Sequence, residues 1–180
     1  MYQWYEYEKD GTLLLFMEIS SSFTPDCYFK VYKENGKIIV YWRTELSRND
    51  YFNIFSRLDI DKANPVPLSE ITKTLEYRRG LERICPIHSQ ELTFEQEKIF
   101  LSLLNAKLDE KISLSGGRDG HSYRIQLYGE NPSRIDCWCI ITSEWSFLAN
   151  AINMLVIDVA GLDAQHYAIQ TRNSGKLLCN

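Results

Sequence analysis

Apolar and polar residues alternate along much of this chain, with the period of half-buried β-strands. The stretch from 13 to 19 differs, because six of its seven residues are apolar and both faces of a strand would be hydrophobic. Such a strand is expected in the centre of a sheet, where both faces are covered. The Asp10-Gly11 pair before it is a turn signal, which predicts that residues 3–8 pair with this strand as a first hairpin.

A second hairpin is predicted around Asn35-Gly36. The alternation over residues 29–31 stops at this pair and resumes over residues 38–42. Asn and Gly both tolerate the positive φ of a type I′ turn, which is the tight connection that fits twisted antiparallel strands.

A third hairpin is predicted from residues 123–127 to residues 135–141, with a turn at 131–133. Alternate residues of a strand point to one face, so Cys137 and Cys139 are expected to point together into the core. We predict that they pack as small apolar groups and carry neither a disulfide nor a metal.

The clearest helix signal follows residue 142, where apolar residues recur at spacings of three and four. This stripe consists of Trp145, Leu148, Ile152, Leu155 and Val159. Its other faces also carry apolar residues, so this helix is predicted to be buried on more than one side.

Two more helices are predicted earlier in the chain. A capping box at residues 93–96 opens one of them, with Thr93 as the N-cap and Gln96 at the third helical position. Its predicted apolar stripe consists of Phe94, Leu101, Leu104 and Leu108. A shorter helix is predicted over residues 48–58.

These elements predict one α+β domain over residues 1–180, with a largely antiparallel sheet from three hairpins and two or three helices packed on it. The order of two strands and a helix occurs twice, around Trp42 and around Trp138. Residues 61–91 fit this plan least well, because Pro65 and Pro67 break regular structure, and we expect this segment to be a mobile insertion.

Charge gives the first indication of function. The formal net charge is −4 and the pI is about 5.4, which disfavours nucleic acid as a partner, since phosphate binding needs clustered Lys and Arg. From Ile135 to Thr171 the chain has no Lys or Arg. The acidic residues of this stretch are Asp136, Glu144, Asp158 and Asp163. We predict that these four bind a partner; the alternative is that they form an ordinary solvated surface.

The N-terminus lacks the basic and apolar regions of a signal peptide, and no apolar stretch is long enough to span a bilayer. The chain has five cysteines, an odd number with no disulfide pattern, so a reducing compartment is expected. The sequence therefore predicts a cytoplasmic protein that does not associate with membranes.

Two places invite a chemical interpretation. Cys85 and His88 could form a nucleophile and base or half of a zinc site, but no enzyme motif surrounds them and no second pair stands at ligand spacing. The glycine-rich turn at residues 116–121 lacks the Gly-Lys-Ser/Thr ending of a phosphate loop and leads into a strand. We therefore predict no metal, no cofactor and no catalytic residues, and keep an enzyme site near Arg118–His121 as an alternative.

Two runs of the chain carry a resemblance, ELSRNDYFNIFSRLDID and GGRDGHSYRIQLYGENPSRIDCWCIITSEWSFLANAINMLV. They resemble a group of small bacterial α+β proteins that share a strand opening with Asp-Gly, a return strand with Trp and a final helix led by Trp. Several of these look like immunity proteins of toxin systems. The resemblance implies a cytoplasmic protein that binds a partner, and it transfers no functional residues.

The leading hypothesis is therefore a non-catalytic immunity or inhibitor protein that neutralises a bacterial toxin by direct binding. An acidic binder complements a basic toxin domain, because opposite charges speed association. The alternatives are a small hydrolase-like enzyme and a non-catalytic adaptor or homodimer.

Overall fold

A seven-stranded sheet forms the centre of the computed structural model, which describes residues 10–21, 24–45, 85–108, 111–114, 120–128 and 132–172. Its strands are β1 (Thr12–Ser21), β2 (Cys27–Glu34), β3 (Lys37–Thr44), β4 (His88–Glu91), β5 (Lys111–Leu114), β6 (His121–Leu127) and β7 (Ser133–Trp138). Their order across the sheet is β4-β3-β2-β1-β6-β7-β5, and every neighbouring pair is antiparallel except β5 with β7. The predicted α+β class with a largely antiparallel sheet is confirmed.

Strand β1 occupies the middle of the sheet, as its two apolar faces predict. Leu15, Met17 and Ile19 are fully buried on one face, while Phe16 is buried on the other. Both edges of β1 are used over residues 15–19, by β2 on one side and β6 on the other. The predicted pairing of this strand with residues 3–8 is therefore wrong there, because a distant strand takes the edge that the local turn signal assigned; residues 3–8 themselves lie outside the described residues.

The other two predicted hairpins are confirmed. Strands β2 and β3 join through Asn35 and Gly36, whose φ values of 49° and 83° are those of a type I′ turn. Strands β6 and β7 pair antiparallel from Ser122 with Trp138 to Leu127 with Ser133.

One face of the sheet is covered by a helical layer. This layer contains α1 (Phe94–Leu104), a 3₁₀ turn (Ser143–Trp145), α2 (Ser146–Asn153), a π-helical segment (Met154–Val159) and α3 (Ala164–Tyr167). The 3₁₀ turn, α2 and the π segment run on continuously, and we call residues 143–159 the long helix. Leu148 and Ile152 of the long helix are fully buried, which confirms that it packs on the sheet.

Helix α1 begins as predicted but presents a different face to the core. Thr93 accepts a hydrogen bond from the Gln96 backbone and the Gln96 side chain accepts one from Thr93, which confirms the capping box. The buried residues, however, are Phe100 and Leu103, and Phe94 is 80% exposed. Phe94 lies about 240° around the helix from Phe100, at 100° per residue, so the predicted stripe mixed two faces.

Two short strands, β8 (Ile140–Thr142) and β9 (Gln170–Arg172), form a separate parallel pair. Strand β8 precedes the long helix, and β9 is the last described strand. Gly161 ends the long helix with a φ of 65°, and Asp163 caps α3 by accepting a hydrogen bond from the Gln165 backbone at 2.9 Å. Within the described ranges, no helix is long and apolar enough to cross a membrane.

Several of the sequence predictions concern residues outside the described ranges. The helix over residues 48–58, the helical half of the unit around Trp42 and most of the 61–91 segment lie outside the described residues. At the end of that segment, residues 88–91 form β4, which pairs with β3.

Candidate functional site

A groove separates α1 from the long helix on the outside of the helical layer. We call it the helix groove; its volume is about 760 Å³. On one side it is lined by Glu95, Lys98, Ile99 and Ser102 of α1, and on the other by Phe147, Asn150, Asn153, Met154, Ile157 and Asp158, with Ala164 and Ala168 next to them. The α1 residues follow a spacing of three and four, so one stripe of this helix forms a wall.

Much of the groove surface is apolar. Ile99 is 38% exposed, and Phe147 and Ile157 are half buried against the core. The Phe147 ring lies 5.8 Å from the Trp145 ring, measured between centroids, which holds it in place at one wall. A concave surface with exposed apolar groups and a polar edge is typical of a binding site.

The groove also carries charged side chains. Glu95, Lys98 and Asp158 line it, and none of them forms an ion pair with any described residue. Two carboxylates and one ammonium give the groove a net charge of −1, in a chain whose own net charge is −4. A partner with Lys or Arg side chains complements this surface.

Of the four acids predicted to bind a partner, Asp158 lies in the helix groove. Asp136 does not, because β7 turns Ile135 and Cys137 toward the helical layer and Asp136 to the opposite face of the sheet. There the Asp136 carboxylate lies 3.1 Å from Nε of Arg134 and 3.7 Å from Nε of Arg124. Its charge is thus compensated by arginines from outside the acidic stretch.

The other two predicted acids have local partners. Glu144 is exposed in the 3₁₀ turn and accepts a hydrogen bond of 2.8 Å from the Thr142 hydroxyl. Asp163 caps α3, and its carboxylate lies 3.8 Å from Nε2 of His166. Outside the groove, these acids contribute to the negative surface of the helical layer.

A second polar cluster lies on the opposite face of the sheet, beside a cavity of about 350 Å³. Arg124 donates to the Glu18 carboxylate at 2.9 Å and also approaches Asp136, to which Arg134 donates twice. Two acids and two arginines balance each other. We interpret this cluster as an ion network that satisfies the buried Glu18 carboxylate.

The alternative enzyme site near Arg118–His121 is described only in part, because Arg118 and Asp119 lie outside the described residues. His121 is buried and its Nε2 lies 3.3 Å from the Ala168 carbonyl, at a cavity of about 180 Å³ that Cys139 and His166 also line. Burial lowers the pKa of His121 below 6.5, with His166 adding a smaller effect. The Ala168 carbonyl can only accept a hydrogen bond, so this contact makes Nε2 the donor and fixes the orientation of the ring.

The cysteines differ in their surroundings. Among the cysteines of the described ranges, Cys27, Cys137 and Cys139 are free thiols. Cys137 is buried as predicted, and burial raises its pKa to about 12. Cys139 is only half buried, because β7 ends at Trp138 and the chain bends before β8, so the prediction that it points into the core is wrong.

The Cys85–His88 pair gives no sign of a metal site. Cys85 is buried, whereas His88 is exposed on β4 with its ring stacked on Trp42 at 5.5 Å between centroids. In the part of the chain that the structure describes, no three His, Cys, Asp or Glu side chains are grouped for a metal ion.

Sequence reasoning missed the α1 wall of the groove. Glu95 lies in the first turn of α1, where the helix dipole by itself accounts for an acidic residue, and Ile99 is not part of the predicted stripe. The signal was present, since Glu95, Ile99 and Ser102 follow helical spacing. It could not be used without knowing which face of α1 met the core.

Comparisons with protein-family models, with curated proteins and with solved structures found no match to this chain.

Proposed function

We propose that this chain is a non-catalytic protein-binding protein of the cytoplasm, which neutralises a basic toxin domain by direct contact in the manner of an immunity protein. The observation that carries the proposal is the helix groove, an open apolar surface edged by Glu95 and Asp158, whose carboxylates form no ion pair with any described residue. The resemblance to immunity-type proteins supports the same conclusion.

Apolar and charged groups have separate tasks in such an interface. Ile99, Phe147 and Ile157 supply surface that loses water on contact, which is the main source of affinity. Glu95 and Asp158 attract basic side chains during approach, and opposite charges mainly raise the association rate. Asp136 contributes little to this attraction, because two arginines already neutralise it.

The test uses a purified basic toxin domain encoded beside the gene for this chain. We expect tight binding, and we expect the double variant Glu95→Lys/Asp158→Lys to associate about tenfold more slowly at a low salt concentration of about 0.05 M. Raising the salt concentration should reduce the difference, because screening weakens exposed charges. Stopped-flow or biosensor kinetics give the association rate directly.

Glu97→Lys is the matched control. Glu97 lies in the same first turn of α1 as Glu95, so reversal of either charge disturbs the helix dipole similarly, but Glu97 does not line the groove. The single variants Glu97→Lys and Glu95→Lys are compared directly. If Glu97→Lys slows association as much as Glu95→Lys does, the groove is not the contact surface. A toxin domain that fails to bind the wild-type chain contradicts the proposed function altogether.

A further inference from the structure

We infer that the part of the partner that occupies the helix groove is an amphipathic α-helix with Lys or Arg beside its apolar stripe. This inference rests on the function proposed above and adds the kind of structure that the partner presents. It follows from the shape of the groove, from the backbone chemistry of its walls and from its charges.

The shape is that of a trough between two helices. The α1 wall extends from Glu95 to Ser102, about 10 Å at 1.5 Å per residue, and the opposite wall extends from Phe147 to Asp158, about 16 Å. A third helix of two to three turns matches this length. Side-chain ridges of one helix pack into the grooves between the side chains of its neighbours.

The walls favour a helix over an extended peptide. Both walls belong to helices whose backbone N–H and C=O groups are bonded internally, so they offer no ladder to a strand. An extended peptide lying on Ile99 and Ile157 would bury backbone groups without partners, which is unfavourable. A helix satisfies its own backbone and presents only side chains, as in other helix-in-groove complexes.

The charges set the composition of that helix. Two carboxylates, from Glu95 and Asp158, and the single ammonium of Lys98 line the trough without partners among the described residues. Basic side chains flanking the apolar stripe pair with the carboxylates. The apolar stripe itself, at spacings of three and four, contacts Ile99 and Phe147.

Two synthetic peptides of about 15 residues test this inference, a length at which amphipathic helices begin to form. Both contain the same Leu, Lys and Ala residues. One places Leu at helical spacing and the other alternates Leu with Lys, so charge and composition are equal and only the period differs. Binding to the full chain is measured by fluorescence anisotropy at peptide concentrations up to about 1 mM.

We expect the helical-period peptide to bind at least about tenfold more tightly than its isomer. Ile99→Asp should weaken its binding about tenfold or more, whereas Leu101→Asp should change it less than about twofold. Leu101 is the matched control, because it lies on the same helix with 36% exposure, against 38% for Ile99, and does not line the groove. Circular dichroism confirms that both variants fold.

The inference is overturned if the isomer binds equally well, if the helical-period peptide does not bind by about 1 mM, or if Leu101→Asp weakens binding as much as Ile99→Asp. The proposed function has a separate outcome. If a basic toxin domain associates in a manner that depends on Glu95 but the two peptides bind equally, the proposed function stands and the helical form of the partner is rejected. If the helical-period peptide binds selectively but no basic toxin domain binds, the toxin partner is rejected and the groove remains a helix-binding site.

Discussion

Asn153 ties the last described segment of the chain to the long helix, and its replacement by Ala should be costly. Its Nδ2 donates to the Ile169 carbonyl at 2.9 Å, and its Oδ1 accepts from the Ile169 N–H at 2.8 Å. One side chain thus satisfies both backbone groups of a residue that is only 3% exposed. Truncation to Ala removes both bonds and leaves both groups buried.

The expected magnitude follows from these bonds. Each hydrogen bond contributes about 1 kcal/mol net, and a buried backbone group left unpaired costs about 1–3 kcal/mol. Replacing Asn by Ala inside a helix returns roughly 0.5 kcal/mol through helix propensity. Water entering from the helix groove, which Asn153 lines, reduces the penalty. We therefore expect Asn153→Ala to lower the free energy of unfolding by about 2–4 kcal/mol.

Urea unfolding followed by tryptophan fluorescence measures this change. Asn150→Ala is the control, because Asn150 lies one turn earlier in α2, is exposed, and forms no side-chain hydrogen bond to the described part of the chain. It should be neutral or stabilising by roughly 0.5 kcal/mol. The reasoning is refuted if Asn153→Ala costs less than about 1 kcal/mol, or if the two variants behave alike.

Two further predictions concern titration and thiols. Because burial lowers the pKa of His121, the neutral form is favoured in the folded state, and its contribution to stability is present above the ordinary pKa of 6.5 and lost as the pH falls through the lowered value. His121→Gln should therefore flatten the dependence of the unfolding free energy on pH below 6.5. If the slope is unchanged in this variant, groups other than His121 cause the pH dependence. In thiol labelling of the native protein at about pH 8, Cys139 should react before Cys27 and Cys137, whose pKa values burial raises to about 12. After denaturation without reductant all five thiols should react. A count of about three or fewer would contradict a reducing compartment, because one disulfide removes two thiols.

The sequence predicted those parts of the fold that depend on local signals. The Asn35-Gly36 turn, the capping box at Thr93 and the stripe through Leu148 and Ile152 each lie within a few turns or one hairpin of chain. Pairings between distant residues were not predictable in this way. The parallel contact of β5 with β7 and the pairing of β1 with β6 depend on which strands meet after folding.

The same distinction applies to the candidate site. The acidic stretch was visible in the sequence, and Asp158 does lie in the helix groove. The neutralisation of Asp136 was not visible, because one of its arginines, Arg124, comes from the neighbouring strand β6. Which face of α1 is exposed depends on how the helix packs against the sheet. In the observed orientation Glu95 lines the groove and Phe94 does not.

The central position of β1 also has a consequence for how the chain folds. The hairpins β2–β3 and β6–β7 close short loops and can form early and independently. Pairing β1 with β6 joins residues about a hundred positions apart, as in the Glu18–Arg124 contact with a separation of 106. Closing so long a loop costs entropy before any contact repays it. We therefore expect the β1–β6 pairing to be the slow step of folding, with two preformed sheet halves meeting along one seam.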